Sequence, residues 1–503
     1  MNNRLDILFI NPGNRSDIYQ QLGLEFSAIE PPVWAGLMAT FALKKGYSVD
    51  ILDASALAMG PPEVARKVEE MNPVVAAVIV YGHQPSASTQ NMPASGAICR
   101  QIRASCSGIK SILIGGHVAA LPERTMNEEE VDFAASGEGP YTLIRLVYAL
   151  KSGTSLSTVP GLWYWDNEAL KNNPAPPLIQ NLDEEMPGIA WDLLPMNQYR
   201  AHNWHCFDGL VRQPYAAIYT TLGCPYHCSF CCIQAPFKEG ERQLGFKESV
   251  NSYRFWSPER IASEIDFLVN RYGVRNIKFA DELFVLNSRH VLAVCDLLIK
   301  RNYNLNIWAY ARVDSIKEGM LEKLKAAGVN WLALGIEAAS EDVRSDVDKG
   351  YSQKLIFETV RKIREAGIYI IGNYIFGLPE DNIDSMQATL DLALELKCEF
   401  ANFYSTMAYP GSALYETALR EQWPLPNTWL GYSQHAAETL PLPTRFLSAD
   451  EVLAFRDKAF QIYFTDPGYL DHIRQTFGAP TVQHIEQMTG HRLKRDLLAE
   501  KSI

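Results

Sequence analysis

The chain has 503 residues, of which 47% are hydrophobic and 21% are charged, and its formal net charge is −12. At about 150 residues per domain, this length predicts two to four domains with an ample core. The negative charge argues against non-specific binding of nucleic acid. No apolar run reaches the roughly 18 residues needed to span a bilayer, and the N-terminal run lacks the features of a signal peptide, so we expect a cytoplasmic protein without a transmembrane segment.

The first 155 residues alternate between strand-like and helix-like segments. Segments of helical spacing separate five apolar runs: LDILFINP, YSVDILDA, VVAAVIVYG, IKSILIGG and VDFAASGEG. Five strands with intervening helices predict an α/β fold, a doubly wound Rossmann-like parallel sheet over residues 1–155 that is buried on both faces. Ligands of such sheets bind beyond the carboxyl ends of the strands.

The next segment, residues 156–205, has a different character. It begins with VPGLWYWDNEALKNN, which favours a hairpin, and continues as a proline-rich stretch without a clear period. We interpret this segment as a linker that packs across a domain boundary.

A second alternation of strands and helices occupies residues 206–415. It contains six strand-like runs, too few for a closed eight-fold barrel, and therefore predicts a partial (βα)6 TIM-like barrel. The chemistry of such a barrel lies at the carboxyl ends of its strands. Residues 416–503 predict a helical C-terminal region.

Four of the nine cysteines lie in TTLGCPYHCSFCCIQAPF, residues 220–237, directly after the first strand of this second alternation. Cys224, Cys228 and Cys231 have the spacing CxxxCxxC. In a reducing compartment, clustered cysteines indicate metal binding or catalysis before disulfides. Three thiolates on one loop can hold three corners of a cubane iron–sulfur cluster, and the fourth iron is then open to bind and activate a substrate.

Two alternatives remain for this loop. A structural zinc site normally has four ligands, often as paired CxxC motifs, whereas the only nearby candidates for a fourth ligand are His227 and Cys232, and no other CxxC occurs in the chain. The second alternative is a group of ordinary buried thiols. Buried thiols are what we expect for the scattered cysteines Cys99, Cys106, Cys206, Cys295 and Cys398.

The cysteine motif has an aromatic residue, Phe230, before its last cysteine, and it follows the first strand of a six-fold βα array. In both respects it resembles the motif of the radical SAM superfamily. The resemblance implies a [4Fe-4S] cluster held by Cys224, Cys228 and Cys231, whose open iron chelates S-adenosylmethionine (SAM). It also implies an electron donor such as flavodoxin or ferredoxin, and cleavage of SAM to a 5′-deoxyadenosyl radical that abstracts hydrogen from a substrate carbon.

Motifs at the ends of the later strands fit the same resemblance. FADELF, YARVD, GIEAAS and GNYIFGLPED close the second to fifth strands of this array. By likeness to the family they imply SAM contacts, together with Phe230, from Asp281, Glu282, Arg312, Glu337, Asn373 and Gly377. Judged by the residues alone, acids and an arginine at strand ends are often solvated or paired with one another, and the glycines of GLPED also suit a turn.

A doubly wound domain ahead of such a barrel resembles the cobalamin-binding radical SAM proteins of the class B type. The likeness depends on FINPGNR, PPVWAGLMAT, IGGHVAALPE and SGEGPYT and extends to about residue 415. Glycines at strand ends allow close approach of backbone to a large flat ligand, although they are common there. The resemblance implies cobalamin contacts from Asn11, Gly115, Gly116, His117, Gly137, Glu138 and Gly139. A dinucleotide is disfavoured because NPGNR is not GxGxxG.

The chain departs from some cobalamin proteins in one respect. It has no DxHxxG motif, because LDASALAMG supplies Asp53 but no histidine. His83 and His117 are the histidines near strand ends of the first domain. We expect His117 to lie near the corrin as a loop residue and not to ligate cobalt.

The paired domains, by family resemblance, imply a C-methyltransferase. A methyl group passes from one SAM to cobalamin, a second SAM yields the deoxyadenosyl radical, and the substrate radical takes the methyl from methylcobalamin. The substrate is then a small molecule methylated at an unactivated carbon, in a cavity between the domains that excludes water. The alternatives are a non-methylating rearrangement, ring contraction or cyclisation, and a non-enzymatic iron–sulfur or cobalamin sensor.

The sequence does not identify the substrate or assign a catalytic residue. Aromatic residues in and around the barrel either line a pocket or pack in the core: Trp204, Tyr253, Trp256, Trp308 and Tyr310. The polar segment 238–250 is either a lid over the cluster or a solvated loop.

Overall fold

The computed structural model describes residues 4–13, 15–82, 85–317 and 319–499. Within these ranges the chain folds around two large sheets, the first mostly parallel and the second entirely so, followed by a helical C-terminal region. The predicted architecture is therefore confirmed: a Rossmann-like domain, a partial barrel and C-terminal helices. None of the helices in the described part of the chain is long and apolar enough to cross a membrane.

Seven strands form the first sheet among the described residues. They are β1 (Ile7–Asn11), β2 (Val49–Asp53), β3 (Val75–Val80), β4 (Lys110–Gly115), β5 (Phe133–Ala135), β6 (Leu162–Asp166) and β7 (Ala169–Asn172). Their order is β2-β1-β3-β4-β5-β6-β7, and the strands from β2 to β5 are parallel. The predicted hairpin, β6 and β7, extends this sheet in antiparallel fashion, so the segment interpreted as a linker begins as part of the first sheet.

Side chains of alternate residues along β1 enter two different cores, because successive residues of a strand point to opposite faces. Ile7 and Phe9 pack with the helices Val33–Lys44 and Pro140–Ser152. Leu8 and Ile10 pack on the other face with the helices Pro61–Met71 and Met92–Ser105. Burial on both faces explains why the strands read as nearly continuous apolar runs.

The second domain contains the remaining strands. They are β8 (Tyr215–Ile218), β9 (Thr221–Leu222), β10 (Arg254–Phe255), β11 (Asn276–Phe279), β12 (Asn306–Arg312), β13 (Val329–Glu337), β14 (Tyr369–Phe376) and β15 (Phe400–Ser405). In the part of the chain that the structure describes, six of them form a parallel sheet in the order β15-β14-β13-β12-β11-β8, and β9 pairs with β10. Because β8 and β15 do not pair with each other, the barrel is open on one side.

Helices connect the six parallel strands and cover the outside of the barrel. They are Pro258–Tyr272, Ser288–Arg301, Leu321–Ala326, Gln353–Glu365 and Ile383–Leu396. Polar residues cap several of them, as the sequence predicts: Ser257 accepts from the Arg260 amide at 3.2 Å, and Asn287 accepts from the His290 amide at 3.2 Å.

The helical C-terminal region packs against the β15 edge of the open barrel. Its main helices are Ala449–Thr465, Pro467–Phe477 and Ala479–Gly490. The Tyr463 hydroxyl donates to the Cys398 carbonyl at 2.6 Å, and the Tyr469 hydroxyl donates to the Glu399 carbonyl at 3.2 Å. Shorter α-helices complete the described chain: Arg15–Tyr19, Leu22–Glu25, Pro85–Gln90, Gly116–Ala120, Pro122–Glu128, Leu182–Glu185, Lys238–Gln243, Glu341–Asp346, Ala413–Arg420 and Asp496–Ala499.

The segment after the hairpin docks on the first helix of the barrel. Both the Ile189 amide and the Trp191 indole donate to Oε1 of Glu264, at 2.9 Å each. The Trp256 indole donates to the Met186 carbonyl at 2.7 Å. These contacts agree with the interpretation of this segment as one that packs across a domain boundary.

A buried ion pair joins the two domains directly. Nη2 of Arg254, on β10, is 2.6 Å from Oε1 of Glu138, which follows β5, and the two side chains are 8% and 5% exposed. Oε2 of Glu138 accepts from the Ile179 amide at 2.9 Å, and Arg254 also donates to the Ile179 carbonyl. The carboxylate of Glu138 therefore has partners from both domains.

Replacing one partner of this ion pair should be costly. Arg254→Met leaves the Glu138 carboxylate buried without a cation, and we expect the free energy of unfolding to fall by about 3–5 kcal/mol. The double variant Glu138→Gln/Arg254→Met should lose much less, because no uncompensated charge remains. Denaturant unfolding of the cofactor-free protein measures both values, and a single variant as stable as the double variant would contradict the role given to this pair.

Stability should also depend on pH through Glu264. Burial raises the pKa of Glu264 from about 4.5 to about 7. The folded chain then holds this proton more tightly than the unfolded chain does, so the stability contributed by Glu264 falls as the pH rises from about 4.5 to 7. Relative to Glu264→Gln, which cannot titrate, the wild-type protein should become less stable across that range in unfolding experiments.

The matched control for this comparison is Glu259→Gln. Glu259 lies on the same helix as Glu264 but is exposed. Its replacement should leave the pH dependence of unfolding unchanged. A difference between wild type and Glu264→Gln that is constant from pH 5 to pH 7.5 would rule out the buried-proton explanation.

Candidate functional site

The cysteine loop follows β9 and is held in place from both sides. Gly223 opens the loop with a φ of +89°, and a Cβ at this position would lie 2.3 Å from a carbonyl oxygen of the segment before β10, so the close approach requires glycine. Gln234 donates to the Cys224 carbonyl at 2.6 Å, and Asn251 donates to the Tyr226 carbonyl at 2.6 Å. These bonds fix the loop at the carboxyl end of the second sheet.

The three motif cysteines line a cavity of about 310 Å³, which we call the cluster cavity. Cys224, Cys228 and Cys231 are partly exposed, whereas the other six cysteines are buried. Burial raises the pKa of Cys224 to about 11 and also raises the pKa of Cys231 well above its ordinary value. Both thiols are therefore protonated in the absence of a metal, and a metal that binds them displaces the protons.

Arg312 places a positive charge beside the cysteines. Its Nη1 lies 3.6 Å from Sγ of Cys228, and its Nε and Nη2 each donate to Asp314 at 3.0 Å. The guanidinium stacks 3.9 Å from the centre of the Tyr226 ring. Arg312 thus ends β12 in a fixed orientation at the wall of the cluster cavity.

Glu337 and Lys349 form a buried ion pair in the same cavity. Glu337 ends β13 in the left-handed region, with a φ of +63°, which is uncommon for a residue other than glycine. Its carboxylate pairs with the ammonium of Lys349, and the two side chains are 7% and 8% exposed. The Lys349 ammonium also lies 5.6 Å from the centre of the Phe230 ring. Strained backbone of this kind clusters at functional sites.

The residues that the sequence predicts for SAM fall into two groups. Five of them line the cluster cavity: Phe230, Glu282, Arg312, Glu337 and Asn373. The other two lie behind it. Asp281 is fully buried and accepts from the Thr220 amide at 2.5 Å, and a Cβ at Gly377 would lie 2.4 Å from the side chain of Val452. Asp281 and Gly377 therefore support the cavity without lining it.

The carboxyl ends of the first sheet face the cysteine loop across a narrow space, which we call the interdomain cleft. It is lined by residues of both domains, among them Trp34, Tyr81, Gly82, Gly116, His117, Gly223, Cys232, Phe237 and Glu282. Glu282 lines both this cleft and the cluster cavity, and burial raises its pKa to about 8. The two spaces therefore meet at Glu282 and the cysteine loop.

His117 lies at the first-domain side of the interdomain cleft. Its Nδ1 is 3.2 Å from Oγ1 of Thr89, and its ring meets the edge of Trp429 at 4.3 Å. Burial lowers the pKa of His117 to about 3, so the ring is neutral. The other histidine noted near a strand end, His83, lies outside the described residues.

The four glycines predicted for cobalamin differ in their surroundings. A Cβ at Gly116 or Gly137 would meet nothing nearer than 3.6 Å, and Gly116 lines the cleft. A Cβ at Gly115 would lie 2.2 Å from the backbone of β3, and one at Gly139 would lie 2.3 Å from a side chain of β4. Gly115 and Gly139 therefore serve packing within the first sheet. Gly116 leaves room at the cleft, whereas Gly137 is buried, with the Pro236 carbonyl 3.9 Å from the position of a Cβ.

The two remaining residues predicted for cobalamin make other contacts as well. Asn11 donates to Oδ1 of Asp53 at 2.7 Å, which fixes the loop after β1. The carboxylate of Glu138 is engaged by Arg254 and Ile179, and its carbonyl accepts from the Tyr81 hydroxyl at 3.2 Å, so Glu138 supports the cleft from behind.

The lining of the interdomain cleft suits a flat macrocycle, because aromatic rings, backbone and small polar groups dominate it. Its volume in this structure is about 30 Å³, which is room for one or two water molecules. Binding of a corrin between these surfaces requires them to stand further apart than they do here. Tyr81 and Gly82 also line a much larger cavity beside the cleft.

That larger cavity, of about 310 Å³, lies inside the open barrel, and we call it the lumen cavity. Residues of all three regions line it: Asn11, Arg15 and Glu30 of the first domain, Lys278, Trp308, Asn402 and Tyr404 of the barrel, and Arg456 and Phe460 of the C-terminal region. Five residues line both the lumen cavity and the cluster cavity: Tyr310, Ala333, Tyr404, Tyr409 and Gln434. The two cavities therefore adjoin.

Three of the five aromatic residues singled out in the sequence line the lumen cavity: Trp204, Trp308 and Tyr310. Tyr253 and Trp256 lie elsewhere, where the Tyr253 hydroxyl donates to the Leu283 carbonyl and the Trp256 indole is bonded to Met186.

Segment 238–250 supports the cysteine loop from the side. It includes the helix Lys238–Gln243, in which Lys238 donates to Oδ1 of Asn251 at 2.6 Å. Glu241 is buried and accepts from the Ser252 amide at 2.6 Å. Because Asn251 in turn holds the Tyr226 carbonyl, this segment acts as a brace for the loop.

The sequence analysis missed several residues of these cavities. Lys349 carries no motif of its own and stands twelve positions after its partner Glu337. Lys278 is a lysine in the middle of the buried strand β11, a signal that could have been noticed, and its ammonium lies 3.2 Å from Glu30 of the first domain. Gln434 and Arg456 belong to the C-terminal region, where no motif points to them.

No group of three or more His, Cys, Asp or Glu side chains among the described residues is close enough to hold a single metal ion. This finding concerns a mononuclear site. The three thiolates of a cubane bind three different irons and stand further apart.

Two family models match the chain in the order of its domains. A B12 binding domain matches residues 20–147, and the radical SAM superfamily matches residues 218–393. The second match includes the cysteine loop and the parallel strands β11 to β14, and it begins at the last residue of β8.

The similarity to known proteins extends over both domains of this chain. An uncharacterized methyltransferase of Pyrococcus horikoshii is 28% identical over 85% of this chain and 86% of its own length. An anaerobic magnesium-protoporphyrin IX monomethyl ester cyclase of Cereibacter sphaeroides is 25% identical over 83% of this chain and 64% of its own length. The fold is shared with the radical SAM methyltransferase TsrM of Kitasatospora setae, whose structure has cobalamin and a [4Fe-4S] cluster bound. The TM-score is 0.66 at 17% identity, and the alignment covers 92% of this chain and 89% of that one.

The fold, the cysteine loop facing the carboxyl ends of a Rossmann-like sheet, and both family models lead to one conclusion. This chain combines a B12 binding domain with a radical SAM domain, the domain pair of cobalamin-binding radical SAM enzymes.

Proposed function

We propose that this enzyme transfers a methyl group to an unactivated carbon of a small molecule that binds in the lumen cavity. The observation that carries the proposal is the shared wall of the two large cavities, beside the ends of the first sheet. When bound, the cluster and SAM supply a radical that removes hydrogen, and cobalamin supplies the methyl group. A substrate in the lumen cavity would lie within reach of both.

In this proposal Cys224, Cys228 and Cys231 are the cluster ligands. Their exposure to one cavity, on a loop braced at two carbonyls, supports this role. Cys232 is more buried than these three and also lines the cavity, but it adjoins Cys231 and lies outside the CxxxCxxC spacing, so it would not be a ligand.

SAM would occupy the cluster cavity beside the cysteines. Glu337 offers a carboxylate and Glu282 a carboxyl group to its amino group, and Arg312 offers a guanidinium to its carboxylate. Asn373 is held by Asn402, which donates to its Oδ1 at 2.9 Å, so its amide has a fixed orientation toward the cavity. Lys349 would be a positioning residue, because it holds the Glu337 carboxylate in place.

Cobalamin would bind at the carboxyl ends of β1, β3 and β4. Gly116 lines the cleft and leaves room there, His117 is neutral and held by Thr89, and Tyr81 stacks on Trp34 at 4.2 Å. These residues would contact the macrocycle once the faces of the cleft part. The aromatic walls of the adjoining lumen cavity would exclude water from a reactive substrate.

A second candidate is a non-methylating radical reaction. The relative from Cereibacter sphaeroides is named as a cyclase, and it matches the chain over both domains. The residues proposed here for the cluster, SAM and cobalamin would serve that chemistry equally well.

Transfer of a labelled methyl group separates these two candidates. The reconstituted holoenzyme, kept free of oxygen, would be incubated with SAM carrying a ¹³C-methyl group, a reductant and a small-molecule extract of the source cells. We expect a new product that contains the label, together with 5′-deoxyadenosine and S-adenosylhomocysteine, as judged by mass spectrometry. The variant Cys231→Ala is the control and should form none of the three.

A different result would contradict methyl transfer. Formation of 5′-deoxyadenosine that depends on the extract, with no label in any product, would contradict methyl transfer and favour the non-methylating reaction.

A further inference from the structure

We propose that the lumen cavity binds an organic anion, a carboxylate on an aromatic or similarly flat apolar body, with the carboxylate against Arg456. This inference rests on the proposed function, because it names the class of substrate for that reaction. It depends on the charges, donors and surfaces of the cavity and not on any relative.

The charged residues that line the lumen cavity leave an excess of positive charge. They are Arg15, Glu30, Lys278 and Arg456. Lys278 and Glu30 compensate each other at 3.2 Å, and the Tyr215 hydroxyl also donates to Glu30 at 2.9 Å. Arg15 and Arg456 remain as cations, in a chain whose net charge is −12. A positive cavity in an acidic protein indicates selection for an anion.

Arg456 is the better placed of the two arginines. Only 6% of it is exposed, its Nε donates to the Phe403 carbonyl at 2.7 Å, and its Nη1 donates to Asp457 at 2.7 Å. Among the described residues, Nη2 of Arg456 takes part in no hydrogen bond. Nη2 is accessible from the lumen cavity, which Arg456 lines, so a ligand carboxylate can accept a hydrogen bond from it.

The carboxylate of Asp457 does not neutralise this part of the cavity, because two arginines share it. Nε and Nη2 of Arg495 donate to it at 2.8 Å and 3.0 Å, in addition to the bond from Arg456. The neighbouring His435 adds no negative charge. Burial lowers the pKa of His435 to about 3, and the positive charges of the two arginines act in the same direction.

Arg15 adds to the same field from the first domain. It donates to the Gly23 carbonyl at 2.5 Å and to the Ser27 hydroxyl at 3.0 Å, and within the described ranges no acidic side chain pairs with it. Arg15 also stands beside the proposed cobalamin surface, where a phosphate of that cofactor is an alternative partner. Arg456, on the helix Ala449–Thr465, is therefore the residue from which we infer that the substrate is an anion.

The remaining walls favour a flat apolar body. Trp308 and Tyr310 meet edge to face at 5.1 Å, and Trp204 packs against Trp308 at 5.2 Å. Phe403 and Phe460 line the side nearer to Arg456. A cavity of about 310 Å³ is at the small end of the range for ligand sites, so it suits one or two rings and not a large polycyclic molecule.

Binding of a matched pair of probes tests this inference without turnover. The probes are 2-naphthoate and 2-naphthamide, which share one body and differ in charge, and binding is measured by equilibrium dialysis against the holoenzyme with cobalamin and cluster bound. We expect naphthoate to bind about tenfold more tightly than naphthamide, since a hydrogen bond to a charged group contributes at least that much. Arg456→Met should abolish the difference, and Arg474→Met, an exposed arginine outside the cavity, should preserve it.

A second variant, Arg456→Lys, separates the loss of the guanidinium from a folding defect that Arg456→Met could cause. It keeps the charge and one donor but cannot provide the second nitrogen, so its preference for naphthoate should be reduced, with cofactor content equal to wild type. Equal binding of the two probes, no binding of either, or a preference that survives in Arg456→Met would overturn the inference. None of these results bears on methyl transfer, and a failure to transfer methyl would leave the probe result unchanged.

Discussion

The site depends on one constraint, the meeting of two parallel sheets with the carboxyl ends of their strands facing each other. Parallel pairing places every functional loop of a sheet at one edge, so opposing the two edges brings both sets of loops together. The contact is tight: a Cβ at Gly411, after β15, would lie 2.4 Å from Cβ of Ala235 beside the cysteine loop and 3.1 Å from Cβ of Ala120 of the first domain. The buried ion pair of Glu138 and Arg254 also joins the two domains near this contact.

The open barrel gives this arrangement its substrate space. Six strands leave a gap between β8 and β15. Glu30 of the first domain and Arg456 of the helix Ala449–Thr465 both line the cavity inside this open barrel. The lumen cavity therefore has walls from three regions of the chain. Substitutions in segments without a cofactor motif can therefore change which substrate the lumen cavity binds, without changing the cysteine loop or the strand ends.

Much of this site could be predicted from the sequence because its signals are local. Parallel strands buried on both faces appear as apolar runs, and Cys224, Cys228 and Cys231 lie within one loop. What escaped prediction depends on distant partners. Lys278 meets Glu30 across 248 positions, Arg254 meets Glu138 across 116, and the difference between Gly115 and Gly116 lies in the strand beside them. No pattern along the chain contains those contacts.

The most direct test of this account is the iron, sulfide and corrinoid content of protein purified without oxygen from cobalamin-fed cells. We expect about four irons and about one corrinoid per chain in the wild-type protein. Alanine at Cys224, Cys228 or Cys231 should remove the iron and leave the corrinoid, whereas Cys232→Ala should keep both. Iron retained by all three variants, or wild-type protein without corrinoid even after reconstitution, would contradict the placement of two cofactors on the facing edges of the two sheets.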